Sequence, residues 1–180
     1  MPTPIGHALV GATLWAAGRR LWRDADRNER RGLLGLAMVA ALAPDLDFIH
    51  ADAGGIAVSG LYHHGLTHSL GFALAAGLLI WGYGAMRGYA GAGVAGGLVA
   101  AAWASHGIVD LFYDDGFILN GYGLPLFWPV TGDYYILALL PPVDRSAPLA
   151  AASLAALGLE IVVYGALFLA ARRGRPRVRG

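Results

Sequence analysis

Three histidines crowd a short stretch of the chain, at His63, His64 and His68, although the whole sequence contains only six. A neutral imidazole is the commonest metal ligand in proteins, and charged imidazoles placed side by side would repel one another. The alternative is a polar loop that happens to be rich in histidine. The stretch predicts a metal site provided that the rest of the chain supplies further ligands.

Further candidate ligands stand at the ends of apolar segments. His7 starts the first such segment, and Asp45 and Asp47 end the second, after a proline that breaks the helix. His106 and Asp110 end the fourth segment at i,i+4 spacing, so on a helix they share one face. A set of histidine and aspartate without cysteine suits zinc, manganese or iron, and two carboxylates can bridge two metals roughly 3.5–4 Å apart.

The composition indicates a membrane protein. Hydrophobic residues make up 57% of the 180-residue chain and charged residues only 14%, whereas soluble proteins carry about 25% charged residues. The absence of cysteine excludes disulfides and thiolate metal sites. The length predicts a single domain over residues 1–180, and the N-terminus lacks the charged region and the cleavage site of a signal peptide.

Five apolar runs are long enough, two of them marginally, to cross a bilayer, which takes about 20 helical residues. Their continuous rather than alternating character argues against a β-barrel, and their many small residues allow helices to pack closely in lipid. We therefore predict an all-α, polytopic membrane helix bundle of about five transmembrane or membrane-embedded helices. The predicted segments cover residues 5–22, 32–49, 69–86, 89–112 and 148–171.

The distribution of arginine predicts the orientation of this bundle. Of the thirteen basic residues, all arginines, six lie at 19–31 and five in a basic tail at 172–180. Positively charged loops remain in the cytoplasm, and five spans place both regions on that side together with Arg87. Binding to nucleic acid or to anionic lipid is the alternative explanation. Topology alone accounts for the arginines, so no clear nucleic-acid binding is predicted.

This topology brings the candidate ligands together at the outer face of the membrane. Ionisable residues inside a membrane are costly and by default mark a functional site, whereas chance would scatter them over both faces. We therefore predict a site for a divalent metal, zinc or alternatively manganese, with enough ligands for more than one ion. The predicted metal ligands are His7, Asp45, Asp47, His63, His68, His106 and Asp110.

Other polar residues receive different interpretations. Thr67 and Ser69 are expected to cap helices. Glu160 lies in the middle of the fifth segment and has two open interpretations, a buried, hydrogen-bonded structural group or a proton-handling residue. Loop residues that we expect at the surface rather than at the metal are His50, Asp52, Asp114 and Asp115.

In order and spacing, these residues form motifs that resemble those of the YdjM-like family of bacterial inner-membrane proteins, described as predicted membrane-bound metal-dependent hydrolases. The resemblance covers roughly residues 3–135. The family usually has arginine after the first histidine of its third motif, where this chain has His64, so whether His63 or His64 is the ligand stays open. The matching motifs are Gly6-His7, Pro44-Asp45-Leu46-Asp47, His63-His64-Gly65-Leu66-Thr67-His68-Ser69, Ser105-His106-Gly107-Ile108-Val109-Asp110 and Gly123-Leu124-Pro125-Leu126-Phe127-Trp128-Pro129.

A weaker resemblance links the chain to zinc-dependent phospholipase C. Those enzymes also use an N-terminal histidine, an aspartate after proline and a His-x-x-x-Asp helix, but their later histidine and glutamate ligands have no clear counterpart here.

These resemblances and the ligand set predict a multi-pass hydrolase of the bacterial inner membrane whose active site faces the periplasm. We expect metal-assisted hydrolysis of a phosphoester or lipid-linked substrate, with Asp45, His64 and Asp110 taking part in catalysis. One alternative is a non-catalytic scaffold or regulatory protein whose bound metal has no open coordination position. A transporter is the less favoured alternative, because it would need polar groups throughout the bilayer.

Overall fold

The computed structural model describes residues 2–47, 64–113, 123–141 and 147–174. Within these ranges the chain forms five α-helices and no β-strand, which confirms the all-α prediction. Two short 3-10 helices, Ala43–Asp47 and Leu66–His68, lie after the second and before the third α-helix. The α-helices are α1 Pro4–Ala17, α2 Arg27–Leu42, α3 Leu70–Met86, α4 Ala92–Asp110 and α5 Ala151–Arg173.

Side-chain caps begin three of the helices. Thr3 precedes α1 and accepts a hydrogen bond from the backbone N–H of Gly6 at 3.3 Å. Asp26 starts α2 in a capping box, in which a glutamate side chain three residues later binds back to the cap. Ser69 accepts a backbone hydrogen bond of 3.1 Å at the start of α3, which confirms its predicted role as a cap.

Helix α4 is the central element of the bundle. It packs against α1, α2 and α3, whereas among the described elements α5 packs only against α1. Helix α4 is accordingly the more buried of the two. Half of its 18-residue apolar stretch is buried, compared with 17% of the corresponding stretch of α5. Most of α5 is therefore exposed at the surface of the described bundle.

Glycines allow the helices to approach closely at two crossings. A Cβ atom at Gly11 would lie 2.6 Å from the carbonyl oxygen of Ala37 on α2, and a Cβ at Gly77 would lie 2.7 Å from the carbonyl oxygen of Gly96 on α4. Both distances are too short for a real Cβ, so alanine would push the helices apart. This agrees with the expected use of small residues in helix packing.

The helix lengths support the predicted five spans only in part. In the described part of the chain, α4 and α5 are long and apolar enough to cross a membrane, and α3 is apolar but has 17 residues. The first two helices are shorter than predicted, because the chain turns after Ala17 and because α2 begins with charged residues at Arg27 and ends at Leu42.

Two contacts between α1 and α5 define the two ends of the bundle. Near the start of α1, the Thr3 hydroxyl donates a hydrogen bond of 2.6 Å to Glu160. Beyond the other end of α1, the Arg19 guanidinium donates to the backbone carbonyls of Ala171 and, at 3.4 Å, of Arg172. The two helices therefore run in the same direction. We call the end with Arg19 and Arg172 the arginine end. The end where α1 begins carries the polar side chains described below as the candidate metal centre, and we call it the centre end.

The segment 123–141 covers the centre end. The backbone N–H groups of Leu70 and Gly71, at the start of α3, donate to the carbonyls of Leu126 and Trp128 at 2.8 and 3.0 Å. Further along, the N–H of Leu140 donates to the turn that follows α4 at 2.7 Å. The segment thus ties the beginning of α3 to the end of α4.

Candidate metal centre

The polar side chains predicted to converge are brought together at the centre end. The first turn of α1, the 3-10 helix after α2, the turn before α3 and the last turns of α4 each contribute. His63 lies outside the described residues, as do His50, Asp52, Asp114 and Asp115. The residues that meet in the centre are His7, Asp45, Asp47, His64, His68, His106 and Asp110.

The His106–Asp110 pair on α4 forms the floor of the centre. His106 Nε2 lies 3.0 Å from Asp110 Oδ2 and 3.3 Å from Asp45 Oδ1. The other ring nitrogen, Nδ1, is 2.7 Å from the carbonyl oxygen of Ala41, so Nδ1 carries the proton and donates it. A histidine held in this way by a carbonyl presents Nε2 as a metal ligand.

His7 stacks on His106, with ring centroids 3.7 Å apart and planes inclined by 14°. Its Nε2 lies 3.4 Å from Asp110 Oδ1. The ring is fully buried, yet among the described residues neither of its nitrogens makes a hydrogen bond. Buried polar atoms are nearly always satisfied by protein, water or an ion. An imidazole in this environment fits a metal ligand better than a packing residue.

His68 connects the two carboxylates of the 3-10 helix Ala43–Asp47 to α4. Its Nε2 lies 3.1 Å from His106 Nε2 and 3.7 Å from Asp45 Oδ1. Its Nδ1 lies 3.3 Å from Asp47 Oδ2, which also accepts a hydrogen bond of 2.7 Å from the hydroxyl of Thr67. Asp47 therefore orients His68 from the Nδ1 side, and the Nε2 side remains for a metal.

The prediction that Thr67 caps a helix is wrong. Gly65 precedes the 3-10 helix without a side-chain cap, and the Thr67 hydroxyl is used on Asp47 instead. The backbone carbonyl of Thr67 is held in turn by the indole N–H of Trp103 at 2.7 Å. These bonds fix the turn that carries His68 against α4.

Asp45 and His68 each shift the pKa of the other toward its charged form. Burial acts to raise the pKa of Asp45, but the adjacent imidazoles of His106 and His68 outweigh it and hold that pKa below its usual range. Burial acts to lower the pKa of His68, yet the carboxylates of Asp45 and Asp47 outweigh it and raise that pKa. Because a metal ligand must be deprotonated, a cation bound at His68 would compete with a proton.

The side chains form two adjoining groups that could each hold a metal ion. In each group three ligand atoms lie within 4.8 Å of one another. Within the described chain, one carboxylate oxygen of Asp45 and both of Asp110 accept no hydrogen bond. This donor set is chemically suited to a divalent cation. The two groups are His7 with Asp45 and His106, and His64 with His68 and Asp110.

The structure places His64 inside the centre. Its side chain is buried, and its ring centroid lies 4.8 Å from that of His68. Its backbone adopts φ of 62°, a left-handed conformation that is uncommon for residues other than glycine. This conformation turns the chain immediately before the 3-10 helix. His64 is therefore available as a ligand in the second group.

One important position was missed by reasoning from the sequence. A Cβ atom at Gly107 would lie 2.5 Å from the backbone carbonyl oxygen of His68. Glycine at this position lets the turn before α3 approach α4 closely enough for His68 to meet His106. The available signal was its position in the sequence, directly after a predicted ligand.

Comparison with known protein families identifies the family of this chain. The model of the YdjM inner membrane protein family matches residues 1–175. The chain belongs to this family. No curated protein and no solved structure matches it. Membership in the YdjM family confirms the resemblance seen in the motifs and, with the apolar helices, supports an inner-membrane protein. The similarity to phospholipase C and the hydrolase activity stay predictions.

Proposed function

We propose that this YdjM family member is a membrane-bound, metal-dependent hydrolase that cleaves a phosphoester or lipid-linked substrate. The observation that carries the proposal is the buried cluster of imidazoles and carboxylates with their ligand atoms within 4.8 Å. Burying such groups is costly unless they are paired or coordinate a metal. Several of these atoms lack hydrogen bonds within the described residues, so packing alone does not explain them.

The proposed cofactor is zinc, with manganese as the alternative, and the two adjoining groups provide for two ions. When bound, such a metal supplies a Lewis acid and a water whose pKa is lowered to about 7. The residues of the chain have distinct tasks around it. His106, fixed through Nδ1 by Ala41, and His68, fixed by Asp47, present their Nε2 atoms. Asp45 and Asp110 supply the negative charge.

The accessible edge of the centre is expected at Asp45. Its side chain is 15% exposed, whereas the side chains of His106 and Asp110 are completely buried. Leu46 beside it is 63% exposed, which gives Asp45 an apolar neighbour on the surface. A phosphate group that enters beside Asp45 would leave an attached lipid chain next to Leu46.

We also propose that all five helices cross or lie in the membrane, with the arginine end in the cytoplasm and the centre end at the periplasmic face. Arg19 and Arg172, one from each arginine cluster, lie at the end of the bundle opposite the candidate centre, and positive segments remain in the cytoplasm. Exposed apolar side chains on α3, such as Leu74, Leu79 and Met86, favour a lipid environment for that shorter helix as well.

Metal analysis and a substrate screen on the purified protein test the proposal. The protein should carry zinc or manganese at more than one equivalent per chain, because it has more candidate ligands than one tetrahedral site uses. His106→Ala should lower the metal content, and His50→Ala, outside the described residues, should not. A protein without transition metal, even after reconstitution, would refute the metal centre.

A non-catalytic scaffold with a structural metal is the second candidate, and the complete burial of His7, His68 and His106 favours it. A structural site is closed by protein ligands, whereas a catalytic site leaves a position to water or substrate. The screen separates the two. A metal that has only protein ligands, in a protein that cleaves no phosphoester or ester, would establish the scaffold.

A further inference from the structure

Helix α5 carries one buried carboxylate that the proposed chemistry does not use. Glu160 is the one acidic residue of α5, and it is 2% exposed. Burying a carboxylate is costly unless its oxygens accept hydrogen bonds. The identity of those hydrogen-bond donors therefore indicates what the residue does.

Within the described part of the chain, the hydrogen-bond donors to Glu160 all belong to Thr3. Oε2 accepts from the Thr3 hydroxyl at 2.6 Å and from the Thr3 backbone N–H at 3.0 Å, which also lies 3.2 Å from Oε1. Thr3 is the N-cap of α1. The first turn of a helix favours a negative charge, because its N–H groups point outward unpaired. The carboxylate of α5 is thus bound to the N-terminus of α1.

The same turn of α1 carries His7. The backbone N–H of His7 donates to the carbonyl oxygen of Thr3 at 3.2 Å, the first hydrogen bond of the helix. Gly6, the residue before His7, faces the carboxylate so closely that a Cβ there would lie 2.9 Å from Glu160 Oε2. A continuous set of contacts therefore leads from Glu160 through Thr3 to His7 and, by ring stacking, to His106.

We propose that Glu160 is a positioning residue for His7. Helix α5 binds the first turn of α1 through its carboxylate and thereby sets the position of the His7 imidazole in the metal centre. This inference rests on the proposed function, because a metal is what makes that position matter. Of the two interpretations of Glu160, it selects the hydrogen-bonded group over the proton-handling one.

The chain provides a matched control for this inference. Within the described residues, Arg19, just beyond α1, makes a second hydrogen-bonded link to α5, at the arginine end. If α5 merely had to remain attached to α1, loss of either link would affect the centre in the same way. If Glu160 positions His7, only loss of the link at the centre end will matter.

The experiment uses the full-length protein in detergent with Co²⁺ as a spectroscopic metal probe. Glu160→Gln should weaken Co²⁺ binding about ten- to a hundredfold, as expected for a group that orients a ligand, and should change the visible absorption spectrum. Glu160→Asp should recover part of the affinity. Arg19→Gln should leave both unchanged, and an equal loss in Arg19→Gln would overturn the inference.

A double-mutant cycle shows whether the effect passes through His7. In a His7→Ala background, Glu160→Gln should cause no further loss of affinity, because residues that act through one another are not additive. Fully additive losses would overturn the inference. If Glu160→Gln does not fold, as judged by circular dichroism and gel filtration, Thr3→Val keeps Glu160 but removes the hydroxyl that donates to it and that also caps α1 at Gly6, and it should weaken binding in the same direction.

A wild-type protein that binds no metal would refute the proposed function without deciding this inference. The metal-free protein then provides the test, through NMR of ¹⁵N-labelled histidine side chains with the His7 signals assigned from His7→Ala. Glu160→Gln should shift the His7 signals, and Arg19→Gln should not. Unchanged His7 signals in Glu160→Gln would overturn the inference.

Discussion

The two ends of the bundle use their charged residues in opposite ways. At the arginine end, Arg23 and Asp24 form an ion pair whose side chains are 78% and 90% exposed. At the centre end, the side chains of His7 and Asp110 form a pair that is completely buried. Exposed ion pairs contribute little to stability. For a buried pair, the desolvation penalty exceeds the Coulombic attraction unless other interactions compensate. This difference supports the proposals that the arginines orient the protein in the membrane and that the buried set binds a metal.

Neutralising a buried carboxylate should have the largest effect on the centre end. Asp110→Asn and Asp45→Asn keep the size of the side chain but remove the charge that would hold a metal and orient water. If the proposed activity is correct, each should lower the rate of hydrolysis by about two orders of magnitude or more. Initial rates on a substrate of the wild type, together with metal content, provide the measurement.

Asp133→Asn is the control for these variants. Asp133 is exposed on the segment that covers the centre end and accepts a hydrogen bond of 2.6 Å from Thr131. Its replacement should leave the rate unchanged. If Asp45→Asn and Asp110→Asn both bind metal normally and lose no activity, these carboxylates are not catalytic.

Local spacing predicted part of the centre well. The i,i+4 separation of His106 and Asp110 fixes their relation on any helix, and their atoms are 3.0 Å apart. The convergence of separate segments also followed from the sequence, because helices that alternate in direction return their ends to the same face. Neither inference required a knowledge of side-chain packing.

The roles of individual groups could not be predicted in this way. The tight 3-10 helix Ala43–Asp47 sends Asp45 to the Nε2 side of His68 and Asp47 to the Nδ1 side. Sequence spacing treats the two carboxylates alike. In the same way, Thr67 and Glu160 depend on partners distant in the chain, Asp47 and Thr3, and no periodicity reveals such contacts.

Two glycines of α4 test the centre through packing rather than through charge. Gly107→Ala would place a Cβ 2.5 Å from the His68 carbonyl oxygen, whereas a Cβ at Gly97 meets nothing in the described chain within 4 Å. Gly107→Ala should therefore move the turn that carries His68 and weaken metal binding by roughly tenfold or more, as loss of ligand orientation does.

Gly97→Ala provides the matched control, since it makes the same chemical change on the same helix. It should leave metal affinity unchanged and slightly favour the helix, because alanine is a better helix former than glycine by about 1 kcal/mol. Metal titration and thermal unfolding in detergent measure both effects. Equal loss of affinity in the two variants would mean that the close approach at Gly107 does not position His68.

Single cysteines placed along the chain test the orientation of the two ends. Of the substitutions considered, they should disturb the protein least. The sequence contains no cysteine, so Arg27→Cys, Gly55→Cys and Arg177→Cys each introduce the only thiol. Arg27 is exposed at the arginine end, and its loss should change neither metal content nor activity. Gly55 and Arg177 lie outside the described residues and report on the loop before the histidines and on the basic tail.

In intact cells, an impermeant thiol reagent should label Gly55→Cys, and it should label Arg27→Cys and Arg177→Cys only after the inner membrane is opened. The reason is electrostatic, because the arginine clusters at 19–31 and 172–180 resist transfer across the membrane. Labelling of Arg177→Cys in intact cells would put the C-terminus outside. The arginine end would then no longer mark the cytoplasm, and the placement of the metal centre at the periplasmic face would lose its basis.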